Sequence, residues 1–230
     1  MQDIGSIIKR DLKRDDWLII IANLIPVYGV WFLGWSAIEV FTVYAMETLI
    51  VGILTIVKLI IATFYKRQDT WNNNGQVTRQ SGIFFILFFT AHFGIFAAVQ
   101  TTIFSQVAGI TPANSGPMHF FFHWWEYINE DIAWMLGGFV ISYLARDIIP
   151  FLIRQNYKNV SMMRLMFQPY GRVLIQQFTV ILGSMFLTFG LGKIFILVFA
   201  LAKIAFEVFA DFNRLLDKSF AKWEENSGKK

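Results

Sequence analysis

Residues 81–105, SGIFFILFFTAHFGIFAAVQTTIFS, decide the fold class of this chain. No Asp, Glu, Lys or Arg occurs in this stretch, and aliphatic and aromatic side chains dominate it. A helix of about 20 apolar residues matches the thickness of the hydrocarbon core of a bilayer. Over the whole chain 56% of the residues are hydrophobic and 16% are charged, whereas soluble domains carry about a quarter charged residues. The sequence therefore predicts an integral membrane protein.

Five further apolar stretches, separated by polar segments, extend this prediction to an all-α bundle of six transmembrane helices. The expected spans are residues 17–34, 36–65, 81–105, 132–153, 173–189 and 193–212. Residues 1–16 carry isoleucines at helical spacing beside basic residues, which is typical of a helix on an anionic membrane surface. The six-helix domain covers residues 17–213, and residues 214–230 form a hydrophilic tail. Residues 66–80 are expected to form a polar loop.

The basic residues indicate how the chain is oriented. Of the 20 Lys and Arg residues, 16 lie in segments 1–16, 66–80 and 154–172 and after residue 212. Six spans place all these segments on one side, and the loop 106–127 on the other side has no Lys or Arg. Cytoplasmic loops carry the excess of basic residues, so both termini are expected in the cytoplasm, with the protein in the plasma or inner cell membrane. The net charge of +4 is explained by this orientation: the expected partner is the lipid bilayer, and nucleic acid is not expected.

Ionisable residues within the spans are the candidates for function, since each costs at least ~2.5–3.5 kcal/mol in hydrocarbon and normally faces a partner inside the bundle. The expected polar cluster consists of Glu47, Lys58, His92, Lys203, Glu207 and Asp211. Glu47 and Lys203 each lie about 12 residues from a turn on the same side, at a depth of roughly 18 Å. They are therefore predicted to pair, with a second pair between Lys58 and Asp211 nearer the inner surface. The span that carries His92 enters the membrane from the other side, and His92 lies roughly 16 Å deep in it.

Two interpretations of this cluster remain open. It is either a pathway or pocket for an ion or a small polar solute, or a set of charge pairs that only fixes how the helices align. The corresponding functions are transport and a structural or assembly role.

A second candidate site lies in the aromatic segment on the outer side. His119 and His123 are four residues apart, so that they share a helical face, and Glu126 continues it. Two histidines and a carboxylate can bind zinc with water as the fourth ligand, which predicts a membrane-embedded metal-dependent enzyme as the alternative function. Interfacial histidines beside Trp124 and Trp125 are also common without a metal, as anchors at the membrane surface. The chain has no cysteine, so thiolate metal sites and disulfides are excluded.

Several short motifs carry a family resemblance. They are Asn23–Gly29 (NLIPVYG), Gly34–Ser36 (GWS), the run from Glu47 through Gly52 to Lys58, His92–Gly94 (HFG), and Lys203 with Asp211. In these motifs the chain resembles an uncharacterised family of small prokaryotic multi-pass membrane proteins. The resemblance implies a helical membrane fold and no established activity.

The six-span topology makes a direct prediction. Reporter domains fused at residues 73, 160 and 230 should be active in the cytoplasm, and one fused at residue 113 should report the exterior, because the basic segments are held inside. Paired phosphatase and fluorescent-protein fusions at each position measure this. A cytoplasmic signal at residue 113 would refute the six-span arrangement.

Overall fold

The computed structural model describes residues 14–73, 76–205 and 208. These residues are mostly helical. The helices are α1 Arg14–Tyr28, α2 Ala37–Lys66, α3 Gly82–Val107, α4 His119–Phe122, α5 Glu130–Tyr143, α6 Ile149–Ile153, α7 Met162–Phe167, α8 Tyr170–Thr188 and α9 Gly192–Ile204. Two π-helical turns, Gly29–Leu33 and Leu144–Ile148, continue α1 and α5, and 3-10 turns occupy Trp124–Tyr127 and Asn156–Lys158. The predicted amphipathic segment before residue 14 and the predicted tail lie outside the described residues.

Three stretches in the described part of the chain are long and apolar enough to cross a membrane. They are α2, α3 and the continuous helical stretch Glu130–Ile153, with 30, 26 and 24 residues. At 1.5 Å per residue these helices are about 45, 39 and 36 Å long, which exceeds a hydrocarbon core of about 30 Å. The prediction of a helical membrane protein is supported at this level. Of the three other predicted spans, residues 17–34 overlap α1 and its π-helical turn, residues 173–189 overlap α8, and the described part of residues 193–212 contains α9.

The prediction of a polar loop at 66–80, and with it a purely α-helical chain, is wrong at one place. Strands β1 Gln68–Asn73 and β2 Gln76–Ser81 form an antiparallel hairpin. Its register runs from Gln68 opposite Ser81 to Asn73 opposite Gln76, which leaves two residues for the connection. Those residues are Asn-Gly in the sequence, the dipeptide most typical of two-residue hairpin turns. The Asn-Gly dipeptide therefore indicated a hairpin, but the high polarity of the segment led to the prediction of a loop.

An aromatic side chain of the hairpin packs against the helices. The ring of Trp71 packs edge-on against Phe84, Phe85 and Phe88, with centroid distances of 5.2, 5.9 and 5.1 Å. These three phenylalanines lie in the first two turns of α3. The hairpin therefore lies against the end of α3.

Helix α2 forms the centre of the bundle. Helices α3, α5, α7, α8 and α9 all contact it, and every residue from Val40 to Leu49 is buried. An unbroken buried run of this length means that the helix is covered on all faces. Close packing against α3 depends on Gly52, where an added Cβ would lie 2.5 Å from the Phe93 ring.

The first turn of α2 is fixed by a capping box, which sets where this central helix begins. The Ser36 hydroxyl accepts a hydrogen bond from the Ile38 N–H, and the Ser36 N–H donates to the Glu39 carboxylate. The same carboxylate accepts a 2.7 Å hydrogen bond from the Asn129 side-chain Nδ2, and the side-chain Oδ1 of Asn129 caps α5 by accepting from the Ile132 N–H. The starts of α2 and α5 are thereby held together.

Candidate functional site

A buried ion pair between α2 and α9 lies at the centre of the candidate site. The Lys203 ammonium is 2.8 Å from Glu47 Oε2 and 3.1 Å from Oε1. The side chains of Lys203 and Glu47 are 7% and 4% exposed. The pairing predicted from equal depth along the two helices is confirmed. Because both carboxylate oxygens accept from one ammonium, the pair has the geometry of a strong charge-assisted contact.

Aromatic rings cover this ion pair on one side. Tyr44 precedes Glu47 by one turn, and its ring centroid lies 4.9 Å from the Lys203 nitrogen, within the range of a cation–π contact. Phe199 precedes Lys203 by one turn and packs edge-on against Tyr44 at 4.9 Å. These contacts follow from helical spacing, because residues three or four apart share a face. They hold the two charged side chains in one orientation.

A cavity of about 240 Å³ adjoins the pair. Its buried floor contains Glu47, Lys203 and Tyr44 together with Asn23 of α1, whereas the exposed side chain of Trp134 lies at its edge. Four helices and the turn before α2 contribute to its wall. The lining residues are Asn23, Ile25, Pro26, Trp35, Val43, Tyr44, Glu47, Trp134, Met135, Gly138, Phe139, Ser142, Arg146 and Lys203. The cavity therefore has a largely apolar wall and a few polar groups, as small-molecule sites commonly do.

Two consecutive charged residues in the π-helical turn Leu144–Ile148 contact different parts of the structure. Arg146 lines the cavity and donates from Nε to the Ser142 carbonyl at 3.4 Å. Asp147 instead lies 2.6 Å from the Lys58 ammonium. Successive residues of a helix point roughly 100° apart, so that one turn can supply an arginine to the cavity and an aspartate to α2. π-Helical turns within α-helices are frequent at functional sites.

The structure gives Lys58 a partner that was not expected from the sequence. Lys58 is 1% exposed and pairs with Asp147, whose side chain is 25% exposed. The predicted partner Asp211, and Glu207 with it, lie outside the described residues. Counting residues along a helix gives the depth of a charge but not which helix lies beside it. Asp147 was visible in the sequence only as a charge within an apolar span.

His92, another predicted member of the cluster, is placed elsewhere. It lies on the exposed side of α3, and its Nδ1 is 2.6 Å from the Tyr170 hydroxyl of α8. Its ring stacks on Phe88 at 5.6 Å. The next residue, Phe93, packs on Gly52 of α2, so His92 points away from that interface. The structure does not bring His92 to the Glu47–Lys203 pair.

The outer histidines do come together. The rings of His119 and His123 stack with centroids 4.5 Å apart, and His119 Nε2 is 3.8 Å from Glu126 Oε2. His119 Nδ1 is 3.0 Å from the Tyr127 hydroxyl. Burial, and then the neighbouring Glu126 carboxylate, raise the pKa of Tyr127 above its ordinary value of 10. The hydroxyl therefore stays protonated at neutral pH and can donate to His119 Nδ1.

Within residues 14–73 and 76–205, no group of three or more His, Asp or Glu side chains has the arrangement of a metal site. His123 Nδ1 lies 3.3 Å from the His119 carbonyl oxygen, so one ring nitrogen of each histidine faces a protein oxygen. His119 Nε2 is the nitrogen that faces Glu126, at 3.8 Å from Oε2. Zinc binding by His119, His123 and Glu126 stays a prediction.

The model of a family of unknown function matches residues 8–226, nearly the whole chain. The chain belongs to family DUF6498. Membership of an uncharacterised family, expected from the motifs around Glu47 and Lys203, is confirmed. No curated protein and no solved structure matches the chain.

Most residues of the cavity other than Glu47 and Lys203 were missed by reasoning from the sequence. For Asn23 and Arg146 the sequence did indicate a possible functional role, since each is a strongly polar residue inside an apolar segment. Trp35 was noted only as part of the family motif Gly34–Ser36, and Trp134 had no signal, because tryptophans near span ends are typical of the interface in any membrane protein. Their place at the cavity depends on how α1 and α5 lie against α2.

The buried ion pair gives a quantitative prediction. Glu47→Gln or Lys203→Met alone should lower the free energy of unfolding by about 3–5 kcal/mol, because each leaves the other charge buried without its partner. The double variant should recover part of this loss. Reversible unfolding in mixed detergent micelles measures the double-mutant cycle.

The matched control combines Glu47→Gln with Asp147→Asn. These residues belong to different pairs, separated by about 16 Å along α2, so their effects should add within about 0.5 kcal/mol. Additive losses for Glu47 and Lys203 as well would show that the two side chains do not interact.

The histidine geometry predicts the result of a metal analysis. Because the described residues contain no group of three or more His, Asp or Glu side chains arranged as a metal site, the purified and dialysed chain should be metal-free, and added zinc should leave its melting temperature unchanged. Elemental analysis by mass spectrometry measures the content. About one zinc per chain, lost in His119→Ala and retained in His92→Ala, would instead establish a zinc site.

Proposed function

We propose that this chain is a six-span membrane protein that transports an ion or a small polar solute through the cavity beside Glu47 and Lys203. The observation that carries the proposal is the cavity itself, which borders a buried ion pair inside a bundle of apolar helices. Ionisable residues at such depth are costly and typically mark pathways for ions or substrates. A pair needed only for packing does not require a space beside it.

The depth of the pair supports a transport role. Glu47 lies ten residues after the start of α2, or about 15 Å along the helix axis. A hydrocarbon core of about 30 Å places this residue close to the middle of the membrane. Transporters bind their substrates near this level.

The charges favour a solute with a negative group. Among the described lining residues, Lys203 and Arg146 are cationic and only Glu47 is anionic. An arginine side chain can bind a carboxylate in a fixed geometry. A volume of about 240 Å³ is below the range of about 300–1,000 Å³ for sites of drug-sized ligands. We therefore favour a small organic acid with an apolar body that suits the tryptophan-lined wall.

The proposed topology has both termini in the cytoplasm and the chain in the cell membrane. Among the described residues, helices occur in each of the six segments predicted as spans, the sixth being described as a helix over Gly192–Ile204, and 16 of the 20 basic residues fall on one side in this arrangement. The inward distribution of Lys and Arg follows the general orientation rule for membrane proteins.

Uptake into proteoliposomes tests the proposal. Vesicles containing the protein should accumulate radiolabelled benzoate or acetate faster than protein-free vesicles and should show no gain for a matched amine. Arg146→Gln, which removes a cation from the cavity and leaves the Glu47–Lys203 pair intact, should lower the uptake rate by about tenfold, the effect of one lost charge-assisted contact.

The matched control is the double variant Lys58→Met with Asp147→Asn. It removes the other buried ion pair of α2, and neither residue lines the cavity. Its uptake rate should stay close to that of the natural sequence. Equal rates in protein-containing and protein-free vesicles for every solute would refute transport and leave the charge pairs with a structural role.

A further inference from the structure

A second depression lies at the base of the hairpin, where α2 ends and α3 begins. It encloses about 460 Å³ and opens to the surface. Its lining residues are Lys66, Arg67, Gln68, Asp69, Thr70 and Arg79. We infer that this depression binds a phosphate group, with the headgroup of an anionic lipid as its ligand. The inference is independent of the transport cavity, since the two share no residue.

The only carboxylate of the depression is already occupied. Asp69 Oδ2 accepts from the Met162 N–H at 2.7 Å and from the Lys66 ammonium at 3.3 Å, while Oδ1 accepts from the Thr70 N–H at 2.8 Å. The Lys66 ammonium also donates to the Val160 carbonyl at 3.1 Å. The side chains of Asp69 and Lys66 are therefore held in place by these hydrogen bonds, and their charges neutralise each other.

Two guanidinium groups remain available. Arg67 and Arg79 are exposed, and among the described residues neither side chain is engaged in an ion pair or a hydrogen bond. With Asp69 and Lys66 cancelling, the depression has a net charge of +2 at neutral pH. Arginine presents paired N–H donors that match the oxygens of a phosphate group. Nothing in the described depression competes for these donors.

The hairpin brings neutral donors to the same place. Thr70 lies opposite Arg79 in the register, and Gln68 lies two residues before Thr70 in the same strand. Alternate residues of a strand share a face, so the Gln68 amide, the Thr70 hydroxyl and the Arg79 guanidinium are on one side of the hairpin. Arg67 has a positive φ of 57°, and its carbonyl accepts from the Gly82 N–H at 2.8 Å. This hydrogen bond closes the base of the hairpin and joins the end of α2 to the start of α3.

The location of the depression favours a lipid as the source of the phosphate. It lies between the ends of two helices that are long enough to cross a membrane. Trp71, which packs on the first turns of α3, marks the interfacial level, because tryptophan is enriched there. In the proposed topology this end is cytoplasmic, and the cytoplasmic leaflet carries the anionic lipids that attract basic juxtamembrane segments.

Lipid binding to the purified full-length chain tests the inference. Native mass spectrometry or competition with a fluorescent lipid gives the affinity for phosphatidylglycerol and for phosphatidylcholine. Arg67→Gln and Arg79→Gln should each weaken phosphatidylglycerol binding by about fivefold, the effect of one basic residue at an anionic surface. Phosphatidylcholine should bind more weakly than phosphatidylglycerol and respond less to the two substitutions.

The matched control is Arg154→Gln, which removes an exposed arginine on the same proposed side of the membrane but outside the depression. Its affinity for phosphatidylglycerol should stay within twofold of the natural sequence. Resistance of bound lipid to millimolar inorganic phosphate supports the lipid headgroup as the ligand, and displacement supports free phosphate at the same site. Equal losses in all three arginine variants, or no loss in any, would overturn the inference.

Discussion

Two charged residues on one buried helix impose the main constraint on this structure. Helix α2 carries Glu47 and Lys58, both almost fully buried, and a buried charge without a partner is strongly destabilising. Each is satisfied by a different neighbour: Lys203 of α9 contacts Glu47, and Asp147, between α5 and α6, contacts Lys58. The two pairs therefore fix which helices lie against α2 and at what height.

The two ion pairs differ in their surroundings, and this difference separates the functional candidate from the structural one. The Glu47–Lys203 pair borders a cavity that also contains Arg146, whereas neither Lys58 nor Asp147 lines it. The π-helical turn Leu144–Ile148 makes both arrangements possible, since it directs Arg146 and Asp147 to different places. A short irregular turn in an otherwise regular helix thus connects the pair that holds the bundle together with the cavity that we propose for transport.

The depression at the hairpin and the cavity differ in how far their charged groups are exposed to water. The arginines of the depression are exposed and hydrated, so that they gain from an anionic surface without a large desolvation cost. The cavity charges are removed from water, where electrostatic interactions are stronger and the penalty for an unpaired group is higher. Variants of Arg67 and Arg79 should therefore alter lipid affinity with little effect on folding, whereas variants of Glu47 and Lys203 should affect stability first.

The sequence by itself determined the membrane class, the helical segments and the depth of the charges. Those properties depend on apolar run length and on a constant rise per residue, which is why the Glu47–Lys203 pair could be predicted. The tertiary structure decided which helices are neighbours and which way each side chain points. Lys58 therefore met Asp147, and His92 faced Tyr170 rather than the cluster. Apolar helices of similar composition can pack in several orders, and a one-residue change of position turns a side chain by about 100°, so lateral contacts are fixed only when the bundle assembles.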